Sequence, residues 1–218
     1  MESSLVTRVL CIYEDFDKTI ARLPAQFGMH CPPGCGTCCT SAKVEATVLE
    51  MLPLAAELWR SGEAEMLLGS YSDRPLPKGC LFFTPDELQF NHGRCRVYPF
   101  RPTLCRLFGY AAVRTKTDTR TFAACKLIKT LIPQTVIDVQ EYLDGGGEML
   151  LFTEAAQRIA TIEPSLDIRR PINEALFAAL EKMGMHLMFS AESESESNDP
   201  GTDPEFPTPL PPRLKQCC

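Results

Sequence analysis

Apolar residues recur at helical spacing near the start of the chain. Leu5, Val9, Ile12, Phe16 and Ile20 fall on one face of a helix predicted over residues 4–24, with Pro24 ending it. After a loop opened by Gly28, Ser41 is the expected cap of a helix from Val44 to Leu52. Pro53, with its fixed φ and missing donor, then opens another helix that reaches Arg60. A further short helical turn is predicted over residues 63–68. The pattern next changes to short extended runs. Residues 80–84 and 87–90 read as two strands joined by Pro85-Asp86, and residues 110–115 and 121–124 read as a hairpin around the polar turn 116–119. Pro102 starts a short helix carrying Cys105 and Arg106. Beyond residue 125 the pattern is helical again, over 134–143, 148–162 and 173–183, with breaks at Gly145-Gly146-Gly147 and Pro164. The fold class is therefore mainly α with a few short β-strands, as a single domain over residues 1–189. From Ser190 the chain is polar, Pro-rich and poor in aromatics, so residues 190–218 are expected to form a disordered tail.

Length and charge narrow the picture. A chain of 218 residues suits one well-packed domain, and 44% apolar with 23% charged residues is ordinary for a globular protein. No apolar run approaches about eighteen residues, so no membrane span is expected. The N-terminal segment has acids scattered through its apolar pattern and reads as an amphipathic helix, not a signal peptide. A reducing, cytoplasmic setting is the expectation that follows. The net charge is −6, of which the tail from Ser190 carries −4 and the body only −2. A nearly neutral body without a basic stripe argues against nucleic acid as a partner.

The cysteines change the reading from fold to chemistry. Within His30-Cys31-Pro32-Pro33-Gly34-Cys35-Gly36-Thr37-Cys38-Cys39, four thiols are spaced C-x3-C-x2-C-C. Prolines and glycines between them exclude a helix interior and predict a tight loop on which sulfurs converge. Of eleven cysteines, eight lie in one block: Cys31, Cys35, Cys38, Cys39, Cys80, Cys95, Cys105 and Cys125. In a reducing compartment such a set means a metal more often than disulfides. Four thiolates complete a tetrahedral zinc or hold an iron–sulfur cluster. The adjacent Cys38 and Cys39 would point to opposite sides of an extended backbone. The simplest geometry is then two neighbouring sites with this pair divided between them, and a shared or bridged cluster is the second choice. Arg94, Arg96, Arg101, Arg106 and Lys126 flank the block, and nearby cations favour deprotonated sulfur.

The pattern Cys31-x3-Cys35-Gly36-x-Cys38-Cys39, Cys80-Leu-Phe, Cys95-Arg-Val-Tyr98-x-x-Arg101-Pro102-x-x-Cys105-Arg106-x-Phe108 and Cys125 resembles the YkgJ-type cysteine-cluster family, described as a zinc- or iron-chelating domain. The resemblance runs from Cys31 to Cys125. It implies a cysteine-ligated metal core over 31–125; the helices of 126–189, which it does not cover, are read as packing around that core. A similar cluster occurs in flagellin lysine methylases, whose additional sequence is absent here.

Pro102 holds Arg101 extended and starts the turn that presents Cys105. Arg101 and Arg106 are expected to donate hydrogen bonds to sulfurs or to pin neighbouring loops, while Tyr98, Phe100 and Phe108 shield the centre from water. The metal is iron, as an iron–sulfur cluster, or zinc. The spacing of Cys31, Cys35 and Cys38 suits a cluster with one open iron and tips the choice to iron, whereas Cys35-Gly-Thr-Cys38 equally suits a zinc knuckle.

Two other functional classes stand beside metal binding. One is an iron–sulfur enzyme or redox carrier, including radical S-adenosylmethionine chemistry on Cys31, Cys35 and Cys38. Against that chemistry, the body lacks repeated strand–helix alternation. The other is a metal donor or sensor. Whether the chain is an enzyme is left open. His30 and His92 lie beside the cysteine loops but are read as solvent-facing or supporting residues, and His186 as structural. Cys11, at helical spacing with Ile12 and Phe16, is read as core, and Cys217-Cys218 as an oxidisable end.

Overall fold

The computed structural model describes residues 2–88 and 92–195. It is mainly α, with six short strands among the described residues. At the centre lies α3 (Val48–Arg60), followed by the short α4 (Glu63–Ser70); α3 buries Val48, Leu49, Met51, Leu52, Leu54, Ala55 and Leu58. Its start is not set by Ser41. Thr47 caps it instead, accepting from the Glu50 N–H at 3.2 Å, while the Glu50 carboxylate accepts from the Thr47 N–H at 2.8 Å. This reciprocal pair satisfies two orphan donors. Pro53 sits inside α3 and does not open a second helix. Burial of the residues on both sides of it outweighs the one backbone bond that proline removes.

Against α3 pack α1 (Glu2–Ile20) and α9 (Ile172–Ser195). Val9, Tyr13 and Phe16 of α1 and Ala175, Leu176, Ala179 and Leu180 of α9 complete the main core. Trp59 of α3 donates its indole N–H to the Leu180 carbonyl at 2.9 Å, and its ring rests against Gly184. The first helix ends at Ile20, and Pro24 lies within a separate short helix, α2 (Arg22–Phe27). The last helix runs on past Ser190 to Ser195. The rest of the tail, including Cys217-Cys218, lies outside the described residues.

Three two-stranded antiparallel sheets tie distant segments together. β1 (Glu45–Thr47) pairs with β6 (Arg169–Pro171), a pairing that residue pattern did not reveal. β2 (Phe83–Pro85) pairs with β3 (Gly93–Cys95) in the register Phe83 opposite Cys95. The predicted partner over 87–90 is therefore displaced to 93–95, and residues 89–91 lie outside the described set. The predicted hairpin forms as β4 (Ala112–Arg114) and β5 (Arg120–Phe122). It packs on α7 (Pro133–Asp144), where the Gln140 side chain accepts from the Phe122 N–H at 2.9 Å and donates to the Arg120 carbonyl at 3.1 Å. Leu23, Met29, Phe122, Val139, Leu143 and Leu151 form a second, smaller core there. Two short helices connect these parts, α5 (Thr103–Leu107) and α6 (Lys126–Leu131). The predicted helix over 148–162 is shortened to α8 (Phe152–Ala160), because Leu151 pairs with Ala112 at its start.

A buried polar network fixes α5 on this core. Glu50 accepts from the Thr103 N–H at 3.0 Å, and Tyr13 donates to the Glu50 carbonyl at 2.9 Å. Arg106 stacks over the Tyr13 ring and binds Asp17 of α1. Burial holds the Tyr13 hydroxyl well above its ordinary pKa. α5 thus seats on the core, and Cys105 is half-buried and packs against the same core.

Candidate metal centre

The cysteine loop is shaped by its own backbone. Cys35 donates its N–H to Pro32 at 3.1 Å, and Gly36 accepts from both Cys39 and Thr40 at 2.9 and 3.2 Å. Gly34 adopts φ +72°, a conformation that a residue with a Cβ adopts at a cost. Cys38 and Cys39 therefore lie in a turn. Alternation across an extended strand does not apply to a turn, and the two sulfurs meet: the Cys39 thiol donates a hydrogen bond to the Cys38 sulfur. That bond is the first reason why the Cys38 thiol is lowered to about 6 and why the Cys39 thiol is raised.

The segments of Cys80 and Cys95 are hydrogen-bonded to this loop, and the other cysteines are held by contacts of their own. Cys80 donates its N–H to the Cys39 carbonyl at 2.8 Å. Asn173, buried at the start of α9, holds the same segment, donating to the Pro77 and Gly79 carbonyls at 2.7 and 2.8 Å and accepting from the Leu81 N–H at 3.2 Å. Cys95 arrives on β3, whose Gly93 donates to the Gly34 carbonyl at 2.8 Å. Just before it, His92 forms an antiparallel bridge with Cys35. Arg101 donates to the Cys105 carbonyl at 3.3 Å and lies over the Tyr98 ring, 3.5 Å from its centroid. Cys31 donates its N–H to the Tyr110 hydroxyl at 3.0 Å. Cys125 caps α6 by accepting from the Ile128 N–H at 3.4 Å.

The sulfurs also bear on one another electrostatically. Burial pushes Cys105 up to about 12, and Cys38, Cys80 and Cys95 push it further while Arg101 opposes them. Burial also raises Cys80, with Cys95 and Cys38 adding to it, and raises Cys95, with Cys38 adding to it and Arg101 opposing. Backbone N–H groups of Phe82 and Phe83 point at the Cys80 sulfur, and that of Val97 at the Cys95 sulfur. Such donors favour thiolate. Burial raises Cys31, a hydrogen bond donated by the Tyr110 hydroxyl to its sulfur opposes this, and Cys35, Cys125 and Cys38 add to the rise.

All eight cysteines of the block are free thiols. Cys11 is half-buried and disulfide-bonded, so it stands outside this set and is not the buried core thiol its spacing predicts. The donor set fits an ion of thiolate preference, zinc or iron. Among the described residues no group of three or more His, Cys, Asp or Glu side chains is already disposed to hold one. Protonated thiols have no electrostatic reason to converge, and a metal closes such a set by displacing their protons.

The supporting residues divide their work. Arg101 is the cation that acts on Cys38, Cys95 and Cys105, and Arg96 acts on Cys95 as well. Arg106 instead donates to the Pro99 and Arg101 carbonyls and to Asp17, so it pins the loop and not a thiol. Tyr98 and Phe108 are 58% and 41% exposed and do not form the expected shield, whereas Phe100 packs against the core. Tyr110 and Asn173 were not singled out by their sequence context. Each lies more than seventy residues from the partner it holds, and no local spacing marks it.

Residues 30–126 match the sequence model of the CxxCxxCC family, described as a putative zinc- or iron-chelating domain. The resemblance read from the cysteine spacing holds over that segment. No curated protein and no solved structure matches the chain. Among the described residues, no helix is long and apolar enough to cross a membrane.

Proposed function

We propose that the segment matching the chelating-domain family binds zinc or iron through thiolates drawn from Cys31, Cys35, Cys38, Cys39, Cys80, Cys95, Cys105 and Cys125. The observation that carries this reading is a set of free thiols on chain segments that hydrogen bonds join side by side, Cys80 to Cys39 and Gly93 to Gly34. Residues 1–189 act as one domain, with 31–125 as the metal core and 126–189 as its packing. The spacing of Cys31, Cys35 and Cys38 supports iron, held as an iron–sulfur cluster, over zinc. A reducing compartment such as the cytoplasm would keep these eight thiols free for a metal.

When bound, the metal supplies a multiply charged centre that neutralises the thiolates and fixes the loops. The chain's part is to hold each sulfur's backbone, offset the excess negative charge with Arg101, and direct N–H groups at Cys80, Cys95 and Cys125. Anaerobic purification from metal-replete cells, followed by metal and acid-labile sulfide analysis, tests the proposal. A brown protein with labile sulfide indicates a cluster, and a colourless one with about two zinc ions indicates four-ligand zinc sites. A folded protein carrying neither overturns it.

A further inference from the structure

We infer that Glu50 is a positioning residue for the metal centre. Its buried carboxylate anchors the helix that carries Cys105, and so ties metal affinity to the start of α3. Glu50 is no ligand in this assignment; it acts through α5. The inference rests on the metal-binding reading above, with Cys105 among the ligands.

Glu50 is 3% exposed, and its two carboxylate oxygens serve two chain segments. Oε2 accepts from the Thr47 N–H at 2.8 Å, and Oε1 accepts from the Thr103 N–H at 3.0 Å. A capping box needs only the first of these bonds. The second reaches fifty-three residues along the chain, to the first residue of α5. The residue before it, Pro102, offers no side-chain acceptor, so α5 starts without a cap of its own. Glu50 supplies the missing acceptor from another helix. Among the described residues no lysine or arginine forms an ion pair with Glu50. Burying a carboxylate without a cation costs stability, and a capping box works equally well at the surface. The bond to Thr103 is what the buried position adds.

α5 depends on such outside anchors. It is five residues long, and a helix so short does not hold its own shape in water. Cys105 lies between the anchors. Two residues before it, Thr103 is held by Glu50. One residue after it, Arg106 donates to the Pro99 and Arg101 carbonyls and to Asp17. The Cys105 carbonyl itself accepts from Arg101 at 3.3 Å. Tyr13 closes the frame, because its hydroxyl donates to the Glu50 carbonyl at 2.9 Å and its ring lies against the Arg106 guanidinium. The backbone around Cys105 is thus fixed on the helical core independently of any ion. An ion that binds there meets a sulfur already placed. Loss of the Thr103 anchor frees the first turn of α5, and binding must then order it at the expense of affinity.

The test measures the zinc affinity of the full reduced chain by competition with a chromophoric chelator, together with the sulfur-to-cobalt absorption of its cobalt(II) form. Glu50→Leu keeps a similar volume and removes both acceptors. It is expected to weaken zinc by about tenfold to a hundredfold, the range seen when partners of metal ligands are removed. Its cobalt absorption should fall toward that of Cys105→Ser. Thr103→Pro removes the same hydrogen bond from its other end, at a position where proline fits a helix start. It should weaken zinc alike, and the double variant should be no weaker than the poorer single one. Thr47→Ala is the control. It removes the hydroxyl cap of α3 and neither carboxylate bond, so it should lower the melting temperature and keep the parent's affinity and spectrum. Circular dichroism checks that each variant keeps its helices. Parent affinity in either folded variant, Glu50→Leu or Thr103→Pro, overturns the inference, as do equal losses in Thr47→Ala and Glu50→Leu. A Cys105→Ser spectrum identical to the parent's removes Cys105 from the ligands and this inference with it. A parent that takes up no metal overturns the metal-binding reading itself, before any variant is compared.

Discussion

The backbone N–H of Cys80 donates to the carbonyl oxygen of Cys39 at 2.8 Å. One hydrogen bond thereby joins the cysteine loop to the next cysteine-bearing segment. The preceding residue, Gly79, makes the approach possible, because a Cβ there would lie 3.2 Å from the same oxygen and 3.5 Å from Thr40 Cα. Gly79→Ala should push the two segments apart by a few tenths of an ångström. The expected result is metal affinity lowered by about threefold to tenfold with little change in thermal stability. Competition with a chromophoric chelator measures it, and an unchanged affinity would show that this contact does not place Cys80.

Asn173 is the second constraint on Cys80. It makes three hydrogen bonds to residues 77–81 from a buried position. Asn173→Ala should destabilise the protein by about 1–3 kcal/mol, the penalty of leaving such groups unpaired. Asn173→Asp should do at least as much harm, because a carboxylate would face the Pro77 and Gly79 carbonyls with no donor to offer. Urea unfolding of both variants ranks them, and an Asp variant as stable as the parent would refute the assigned donor roles.

Arg106 and Asp17 are partners of unequal importance. The arginine side chain is 3% exposed and the carboxylate 52%. Removing the guanidinium strands two carbonyls and empties a buried site, so Arg106→Met should cost about 2–4 kcal/mol. Asp17→Asn leaves those carbonyl bonds intact and removes a solvated charge, so it should cost less than about 1 kcal/mol. Arg106→Lys falls between, since an ammonium cannot span both carbonyls and the ring. Equal losses in Arg106→Met and Asp17→Asn would place the stabilisation in the ion pair instead.

The thiols give the metal-free, reduced chain a definite pH profile. The hydrogen bond from Cys39 lowers Cys38 from 9.0 to about 6, so the unfolded chain binds more protons than the folded one between these values. Stability should rise as pH climbs from about 6 to about 9. Burial raises Cys105 from 9.0 to about 12, and Cys80 and Cys95 in the same direction. Above about pH 9 the unfolded chain ionises first, so stability should fall. Urea midpoints across this range should pass through a maximum. Cys38→Ser should flatten the rising limb and leave the falling one, and a monotonic parent profile would contradict both shifts.

Much of this architecture was legible in residue pattern. The first and last helices, the helix over 133–144 and the hairpin around 116–119 follow from local periodicity and turn chemistry, which short-range sterics dictate. The misplaced boundaries share a cause. Pro53 and Pro24 were read as helix boundaries because local rules treat proline as punctuation, yet burial of the flanking apolar residues carries α3 through Pro53.

By itself the sequence determined the chemistry of the centre: eight soft donors, their spacing, and cations among them are properties of residue type and order. It did not determine how those donors meet. Only the tertiary structure decided that Cys38 and Cys39 share one side of a turn, that Arg106 serves the core while Arg101 acts on the sulfurs, and that Asn173 and Tyr110 hold segments far from them in the chain. Contacts across such separations leave no periodic trace. They arise when apolar burial brings α1, α3 and α9 together and the loops between them must satisfy their remaining hydrogen bonds with whichever side chains then lie at hand.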